Sequence, residues 1–175
     1  LRLQFRTNKV VIEDETLTIN QIAQKLASDS LPIQPKNPFS LWLLCLWLRE
    51  KKEWPTSRAE LLKFSYEYQF ERKQNEAKEE GEIFPDREKI FLQWARLAYY
   101  ITSTNEGSDI EEYSIRAFFG KESDSIISIG SRCNVLQQYV DNKRSLVHFQ
   151  HHRAQEFFTA YHLVHSAEAV NWSIY

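Results

Sequence analysis

Glycine is scarce in this chain, and its positions restrict both the turns that the backbone can make and the ligands that its loops can hold. The 175 residues include 4 glycines, and none of them falls within residues 1–80 or 131–175. The one Gly-Lys pair, Gly120-Lys121, is followed by Glu122. Neither GxGxxG nor GxxxxGK followed by serine or threonine can therefore be written on this sequence. Any nucleotide that the chain contacts must be held by other means.

Composition and charge are those of a soluble globular protein without a strong electrostatic preference for one partner. The sequence is 42% hydrophobic and 26% charged, which suffices for a buried core. A formal net charge of -2 predicts no general affinity for the phosphate backbone of nucleic acids. The longest apolar run, residues 39–48, is too short for a membrane span, which needs roughly 20 residues. We therefore predict a buried helix there and no membrane segment.

The start of the chain and its cysteines bear on the cellular setting. The sequence contains no methionine and opens at Leu1, so we expect it to be a piece of a longer polypeptide. Residues 1–15 carry too many charges for a secretory signal. The 2 cysteines, Cys45 and Cys133, lie far apart in the sequence. They predict reduced thiols in a cytoplasmic protein rather than a disulfide framework.

Patterning in the first part of the chain predicts a short strand followed by helices. Alternating apolar residues within 1–12 favour a strand, and an apolar stripe of helical spacing over residues 19–26 favours a short helix. The pair Asn37-Pro38 begins the next helix, because proline is tolerated at the first helical position. This helix is expected to run to about Glu50. Since it is apolar on every face, it is predicted to lie at the centre of a core.

A capping box predicts where a further helix begins, and a charged run predicts where the first domain ends. Ser57 and Glu60 are spaced so that the serine hydroxyl can accept from the Glu60 amide while the Glu60 carboxylate reaches back. Residues 71–82 carry charges of both signs and no large apolar side chain, which is typical of a solvated helix end and linker. We therefore predict one domain over residues 1–82 and a second over residues 83–175.

The second predicted domain combines helices with one β-hairpin. Apolar residues within 90–101 fall on one helical face, and shorter helices are predicted over 109–119 and about 123–133. Two β-prone runs then flank the polar residues 141–144, which predicts a hairpin. A helical pattern returns over residues 154–164. The predicted fold is mainly α, with a small helical domain followed by a winged-helix domain that contains the hairpin.

The histidines raise a zinc hypothesis, because all 5 of them lie between His148 and His165. The motif HExxH is absent. The possible ligand pairs, His152 with Glu156 and His162 with His165, lie too far apart along one helix to share an ion. We therefore predict no metal site.

A winged helix also suggests DNA binding, and a cysteine suggests nucleophilic catalysis. The helix that would enter the major groove carries Arg132 together with Asp124, and the hairpin adds only Lys143 and Arg144. Phosphate-driven binding draws on more cations than these. No activating motif surrounds Cys133, and we predict no catalytic residue. A nucleic-acid-binding regulator and a helical protein-interaction module are kept as alternative functions.

One string near the end of the chain, residues 147–163, carries a family resemblance. It resembles the F-x-H-x-x-x-Q-E-F/Y-F/L-A-A signature that ends the winged-helix domain of NACHT-type signal-transduction ATPases. The matching residues are Phe149, His151, Gln155, Glu156, Phe157 and Ala160, and Thr159 stands where the family has alanine. Three upstream segments are similar to the N-P-x-x-L … L-P-x-x-R-x-x-L-Y region of the family's first helical domain: residues 37–41, 54–55 and 58–61.

The resemblance implies a regulatory role rather than catalysis by this chain. In that family a P-loop nucleotide-binding core lies upstream of the helical and winged-helix domains, which close over ADP. ADP or ATP with magnesium would bind the parent protein, and this chain alone is expected to hold none of them. Nucleotide exchange would open the structure and permit oligomerisation, in defence or innate-immune-like signalling.

Two site residues follow from the resemblance. Pro38 would be the adenine-side contact, and His151 would reach the β-phosphate of ADP. An imidazole N–H at the start of a helix favours an anion on physical grounds as well. His152 and Arg153 are adjacent donors that can share or replace this contact. The interpretation of His151 as an exposed capping residue with no ligand stays open.

Overall fold

Helices dominate the structure, a computed structural model that describes residues 9–12, 15–27, 38–104 and 108–169. In chain order the elements are β1 (Lys9–Ile12), β2 (Glu15–Thr18), α1 (Ile19–Ala27), α2 (Pro38–Lys51), α3 (Arg58–Glu79), α4 (Arg87–Thr104), β3 (Asp109–Glu111), α5 (Glu112–Phe119), α6 (Ser123–Arg132), β4 (Leu136–Asp141), β5 (Arg144–Phe149) and α7 (His152–Ala169). A 3₁₀ turn, Gly120–Glu122, joins α5 to α6. The mainly α class is confirmed. Asn37 and the strand residues predicted before position 9 lie outside the described residues.

The chain divides into two compact units, Leu1–Ser65 and Tyr66–Tyr175, and the division falls within α3. The predicted domain boundary lay further along, after Glu82. The observed division comes earlier in the chain than the predicted boundary because Phe70 is fully buried in the second unit. Its ring centroid lies 5.0 Å from that of Phe84 and 6.0 Å from that of Phe91. The assignment of domain identities stays a prediction.

The charged run over residues 71–82 is helical for most of its length rather than a linker. Gly81, at φ +75°, ends α3, and its amide donates to the Lys78 carbonyl at 3.2 Å. The Glu82 amide donates to the Ala77 carbonyl at 2.8 Å. This pair of hydrogen bonds is the Schellman motif that terminates many helices, and its left-handed residue favours glycine.

In the first unit, β1 and β2 pair antiparallel, and α1 follows as predicted. The helix expected from Pro38 is confirmed with bounds Pro38–Lys51. Trp47 is buried and its ring lies edge-on to Phe64, with ring centroids 5.1 Å apart. The expectation that every face of α2 is buried is wrong, because Leu41 is 41% exposed.

The predicted capping box at the start of α3 is confirmed. The Glu60 amide donates to the Ser57 hydroxyl at 3.1 Å. The Glu60 carboxylate reaches back to the Ser57 backbone amide, which contributes less to its pKa than the contacts with Thr56 do. It accepts from both the backbone amide and the hydroxyl of Thr56, each at 2.8 Å. These hydrogen bonds lower the pKa of Glu60.

The core of the second unit forms where α4 packs against α7. Trp94 is fully buried, and its indole N–H donates to the Ile126 carbonyl of α6 at 3.1 Å. The Phe158 ring of α7 lies edge-on to Trp94, with centroids 5.6 Å apart. The predicted apolar face of α4 is confirmed: Ile90, Phe91, Trp94, Leu97, Ala98 and Ile101 are all buried. The helix-end residues 105–107 lie outside the described residues.

A small antiparallel sheet in the order β3-β5-β4 completes the second unit. The predicted hairpin is confirmed, with a shorter turn than expected at Asn142 and Lys143, whose φ angles are 47° and 67°. The prediction of a helix from Asp109 is wrong for its first residues. Asp109–Glu111 pair with residues 146–148 of β5, so α5 starts at Glu112.

Candidate functional site

The candidate site lies where β5 ends and α7 begins. The Gln150 amide donates to the Val135 carbonyl at 2.9 Å, which fixes the chain between the sheet and the helix. The His151 carbonyl accepts from the Ala154 amide at 2.8 Å and from the Gln155 amide at 3.4 Å. His151 therefore holds the capping position of α7, and its side chain is exposed.

The family-like string separates into buried residues and exposed ones. Phe149, Ala154, Gln155 and Phe158 are buried, with the Phe149 and Phe158 ring centroids 6.0 Å apart. His151 is exposed in the middle of this stretch. Packing thus accounts for Phe149, Ala154 and Phe158, whereas the imidazole of His151 lies outside the core.

Gln155 joins α7 to α4. Its side-chain amide donates to the Thr102 hydroxyl at 3.1 Å, and the hydroxyls of Thr102 and Thr159 lie 3.2 Å apart. The sequence analysis assigned no role to Thr102. One feature of the sequence pointed to it: Thr159 stands where the family has alanine. The Thr159 hydroxyl on α7 has its hydrogen-bonding partner, Thr102, on α4.

Of the two residues that follow His151, His152 contacts the next turn of α7 and Arg153 is exposed to solvent. His152 Nε2 lies 3.2 Å from the Glu156 carboxylate one turn along α7. Arg153 is exposed beside it. The first backbone amides of an α-helix have no acceptor within the helix and carry part of its positive dipole. Exposed donors at this end of α7 make an arrangement that can bind an anion.

Pro38, the second residue indicated by the resemblance, is the first residue of α2 and is exposed. It lies in the first compact unit, and His151 lies in the second. Proline at this position removes no helical hydrogen bond, so helix initiation by itself accounts for it. Its exposed ring also offers the flat apolar surface that an adenine base could contact.

The clustered histidines have separate surroundings. His148 Nδ1 lies 2.9 Å from the Asp109 carboxylate, and its Nε2 lies 3.3 Å from the Gln137 side-chain oxygen. His165 Nδ1 donates to the Tyr161 carbonyl at 2.9 Å. Over residues 9–12, 15–27, 38–104 and 108–169, no group of three or more His, Cys, Asp or Glu side chains is arranged to hold a metal ion.

The two thiols are free, and Cys133 is buried whereas Cys45 is partly buried. Burial raises the pKa of Cys133 to about 12 and also raises the pKa of Cys45. A thiol must lose its proton to act as a nucleophile. Neither cysteine therefore has the environment of a catalytic nucleophile at neutral pH.

Two of the three cations considered for DNA binding, Arg132 and Arg144, have acidic partners within the chain. Arg132 lies 2.7 Å from Glu82, and Arg144 lies 3.1 Å from Glu111. An arginine that already pairs with a carboxylate contributes less to phosphate binding, which depends on releasing counterions from the nucleic acid. This geometry disfavours the nucleic-acid alternative.

The geometry of the chain thus yields one candidate site, the exposed cap of α7 at His151. In the part of the chain that the structure describes, no helix is both long enough and apolar enough to cross a membrane. Comparisons with protein-family models, with curated proteins and with solved structures found no match.

Proposed function

We propose that this chain is the regulatory lid of a NACHT-type signal-transduction ATPase. In the inactive state it closes over ADP, and nucleotide exchange rearranges it and permits oligomerisation. The observation that carries the proposal is the position of His151. It is an exposed imidazole at the cap of α7, inside a family-like string in which Phe149, Ala154 and Phe158 are buried.

The order of elements in the second unit supports a winged-helix domain. A helix (α4), a strand (β3), two helices (α5 and α6) and a hairpin (β4 and β5) follow one another, and α7 closes the unit. The last strand of the hairpin inserts between β3 and β4. The helices of the first unit would correspond to the first helical domain of the family.

The free energies involved suit a switch better than a catalyst. A hydrogen bond to a charged group contributes about 1.5–3 kcal/mol, and a typical allosteric coupling is about 1–3 kcal/mol. If His151 contacts the β-phosphate of ADP only in the closed state, that single contact shifts the equilibrium towards closure. The positive end of the α7 dipole adds to the same attraction.

The remaining parts of the switch are assigned by the family resemblance. An upstream P-loop core in the same polypeptide would supply the phosphate loop and the magnesium site. Pro38 would contact the adenine ring. The chain itself would carry out no chemistry, and the parent ATPase would act in the cytoplasm in defence or innate-immune-like signalling.

The test is His151→Ala in the parent polypeptide, with Gln150→Ala, at an exposed neighbouring position, as the matched control. We expect the His151 variant to lose ADP during purification and to show raised basal oligomerisation, because the closed state has lost a phosphate contact. The control variant is expected to retain ADP, since the Gln150 side chain is exposed and is not one of the donors assigned to the phosphate. Bound nucleotide is quantified by chromatography of the denatured protein, and oligomers are measured by light scattering.

Unchanged ADP retention and unchanged basal assembly in the His151 variant would overturn the assignment. Both variants remove exposed side chains, so the thermal unfolding of the chain is expected to stay the same and checks that the fold is intact. A salt-dependent mobility shift of DNA with the chain would instead favour the nucleic-acid-binding regulator. A parent polypeptide without a phosphate loop would favour the helical protein-interaction module.

A further inference from the structure

A groove of about 370 Å³ opens in the second unit between α4 and the later turns of α7. Leu92 and Arg96 line it from α4, His162 and His165 line it from α7, and Glu122 lines it from the 3₁₀ turn. Small-molecule sites usually have volumes of about 300–1,000 Å³ and combine an apolar lining with a few polar groups. The groove has this size and composition, and His151 is not one of its lining residues.

The acidic residue of the groove is already neutralised. One oxygen of the Glu122 carboxylate lies 2.7 Å from Lys89 Nζ. The other accepts from the side-chain amide of Gln93 at 2.6 Å. The hydrogen bonds from Lys89 and Gln93 and the positive charge of Lys89 lower the pKa of Glu122. The carboxylate is therefore a fixed, paired part of the wall rather than a vacant cation site.

Arg96 differs from Lys89, the other cation of the groove, because it makes no direct ion pair among the described residues, although its charge acts on Glu122 and helps to lower the pKa of that carboxyl group. Its guanidinium carbon lies 5.5 Å from the ring centroid of Phe118 and 5.4 Å from that of Phe119. Within the described residues, no carboxylate lies at ion-pair distance from Arg96. The two rings hold the guanidinium in place by cation–π attraction and leave its hydrogen-bond donors for a ligand.

His162 lies next to this cation. Its ring lies tilted by 37° against that of Tyr99, with the ring centroids 4.7 Å apart. Burial lowers the pKa of His162, and the positive charge of Arg96 lowers it further. The lowered pKa favours the neutral imidazole at pH 7. Nε2 lies 3.4 Å from the Ser166 hydroxyl and can accept from it, which leaves the N–H on Nδ1 as the donor.

We propose that this groove binds a small organic anion, a carboxylate or phosphate monoester carried on an apolar body. Arg96 pairs with the anionic oxygens, because it is the cation of the groove that no described carboxylate approaches to ion-pair distance. His162 donates a further hydrogen bond. Leu92 and the imidazole faces contact the apolar body of the ligand. Neither the groove residues nor this ligand chemistry depend on the proposed role of His151.

Binding at this site couples to protonation of His162. The charged and titratable groups around it are Lys89 and Arg96 from α4, Glu122 from the 3₁₀ turn and His165 from α7. A bound anion compensates the charge of Arg96 and favours the imidazolium, so the pKa of His162 rises on binding. By linkage, the anion binds more tightly as the pH falls through the pKa that His162 has in the complex.

The experiment is an NMR titration of the 175-residue chain with benzoate, phenyl phosphate and benzamide. Benzamide has nearly the shape of benzoate but no charge, so it separates recognition of the anion from contact with the ring. We expect benzoate or phenyl phosphate to shift the His162 and Arg96 side-chain resonances and to raise the pKa of His162. The tighter of the two anions identifies the ligand as a carboxylate or a phosphate.

The matched variants are Arg96→Gln, Arg96→Lys and Lys121→Gln. Arg96→Gln is expected to weaken anion binding about tenfold or more, the effect of losing one charge-assisted hydrogen bond. Arg96→Lys is expected to retain part of the affinity for the anion. Lys121→Gln removes a neighbouring charge outside the groove lining, and its affinity for the anion should be close to that of the parent. Equal binding of benzamide and benzoate, no binding of either anion, or full affinity in Arg96→Gln would overturn the proposal. Preserved amide resonances establish that each variant is folded.

Discussion

Gln155 donates a hydrogen bond from its side-chain amide to the hydroxyl of Thr102, at 3.1 Å, and so ties the first turns of α7 to the end of α4. Gln155 is buried, whereas His151, one helical turn earlier, is exposed. The hydrogen bond fixes the start of α7 against the helix pair. The orientation of the exposed cap therefore depends on a contact that involves none of the candidate site residues.

The strength of this contact can be measured by a double-mutant cycle with Gln155→Ala and Thr102→Val. We expect Gln155→Ala to lower the free energy of unfolding by about 1–3 kcal/mol, because it removes a buried hydrogen-bonding side chain. The coupling energy between the two sites is expected to be about 0.5–1.5 kcal/mol. Urea unfolding of the four proteins provides both values, with Glu156→Ala as an exposed control. Additive effects of the two substitutions would show that the pair contributes nothing.

Gly130 of α6 lies where a side chain would meet β4. A Cβ atom added there would lie 2.7 Å from Leu136 Cγ and 3.0 Å from Leu136 Cβ. Gly130→Ala gains up to about 1 kcal/mol of helix propensity but forces apart a packed contact, which costs about 1–3 kcal/mol. We expect a net loss of stability in thermal unfolding. Ser131→Ala, on the exposed face of the same helix, should be near neutral, and a more stable Gly130→Ala protein would contradict this account.

Lys143 occupies the second position of the hairpin turn with a φ of 67°. Side chains other than glycine pay about 1–2 kcal/mol for a left-handed conformation, and Asn-Gly is a preferred sequence for two-residue hairpin turns. Lys143→Gly is therefore expected to raise the free energy of unfolding by up to about 1 kcal/mol, once the backbone entropy of glycine is subtracted. Lys143→Ala keeps the strain and should bring no gain. Equal melting temperatures for the two variants would argue against strain at this position.

Glu112 links α5 to the hairpin and confers a pH dependence on stability. Hydrogen bonds from Ser145 and Arg116 lower its pKa below the ordinary value of 4.5. A carboxylate whose pKa is lower in the folded state stabilises the protein above its unfolded pKa and loses that contribution as the pH falls through the folded value. Glu112→Gln should thus be less stable than the parent at pH 7, with the difference shrinking below pH 4.5.

Urea unfolding at several pH values measures this difference. Glu79→Gln, an exposed position at the end of α3, serves as the control, and a gap between parent and Glu112→Gln that stays constant with pH would exclude the linkage.

Local patterns in the sequence determined the helices at residues 38–51 and 87–104 and the hairpin near Asn142. Each depends on apolar periodicity or turn residues within a few positions of one another, which act on the backbone whatever lies around them. The family-like string also indicated His151 before its exposure was known. The sequence alone predicted nothing about which residues of α4 and α7 would form a groove, although Lys89, Gln93 and Arg96 recur at helical spacing.

Tertiary structure decided the features that depend on distant partners. Asp109–Glu111 became a strand because β5 offers it a hydrogen-bonding edge, and no signal for that pairing lies within the three residues. The charged end of α3 belongs to the second unit because Phe70 is buried there against Phe84 and Phe91. Arg96 and His162 are neighbours because α4 packs on α7. Such contacts join residues far apart in the chain, so their energies enter only when the whole core assembles.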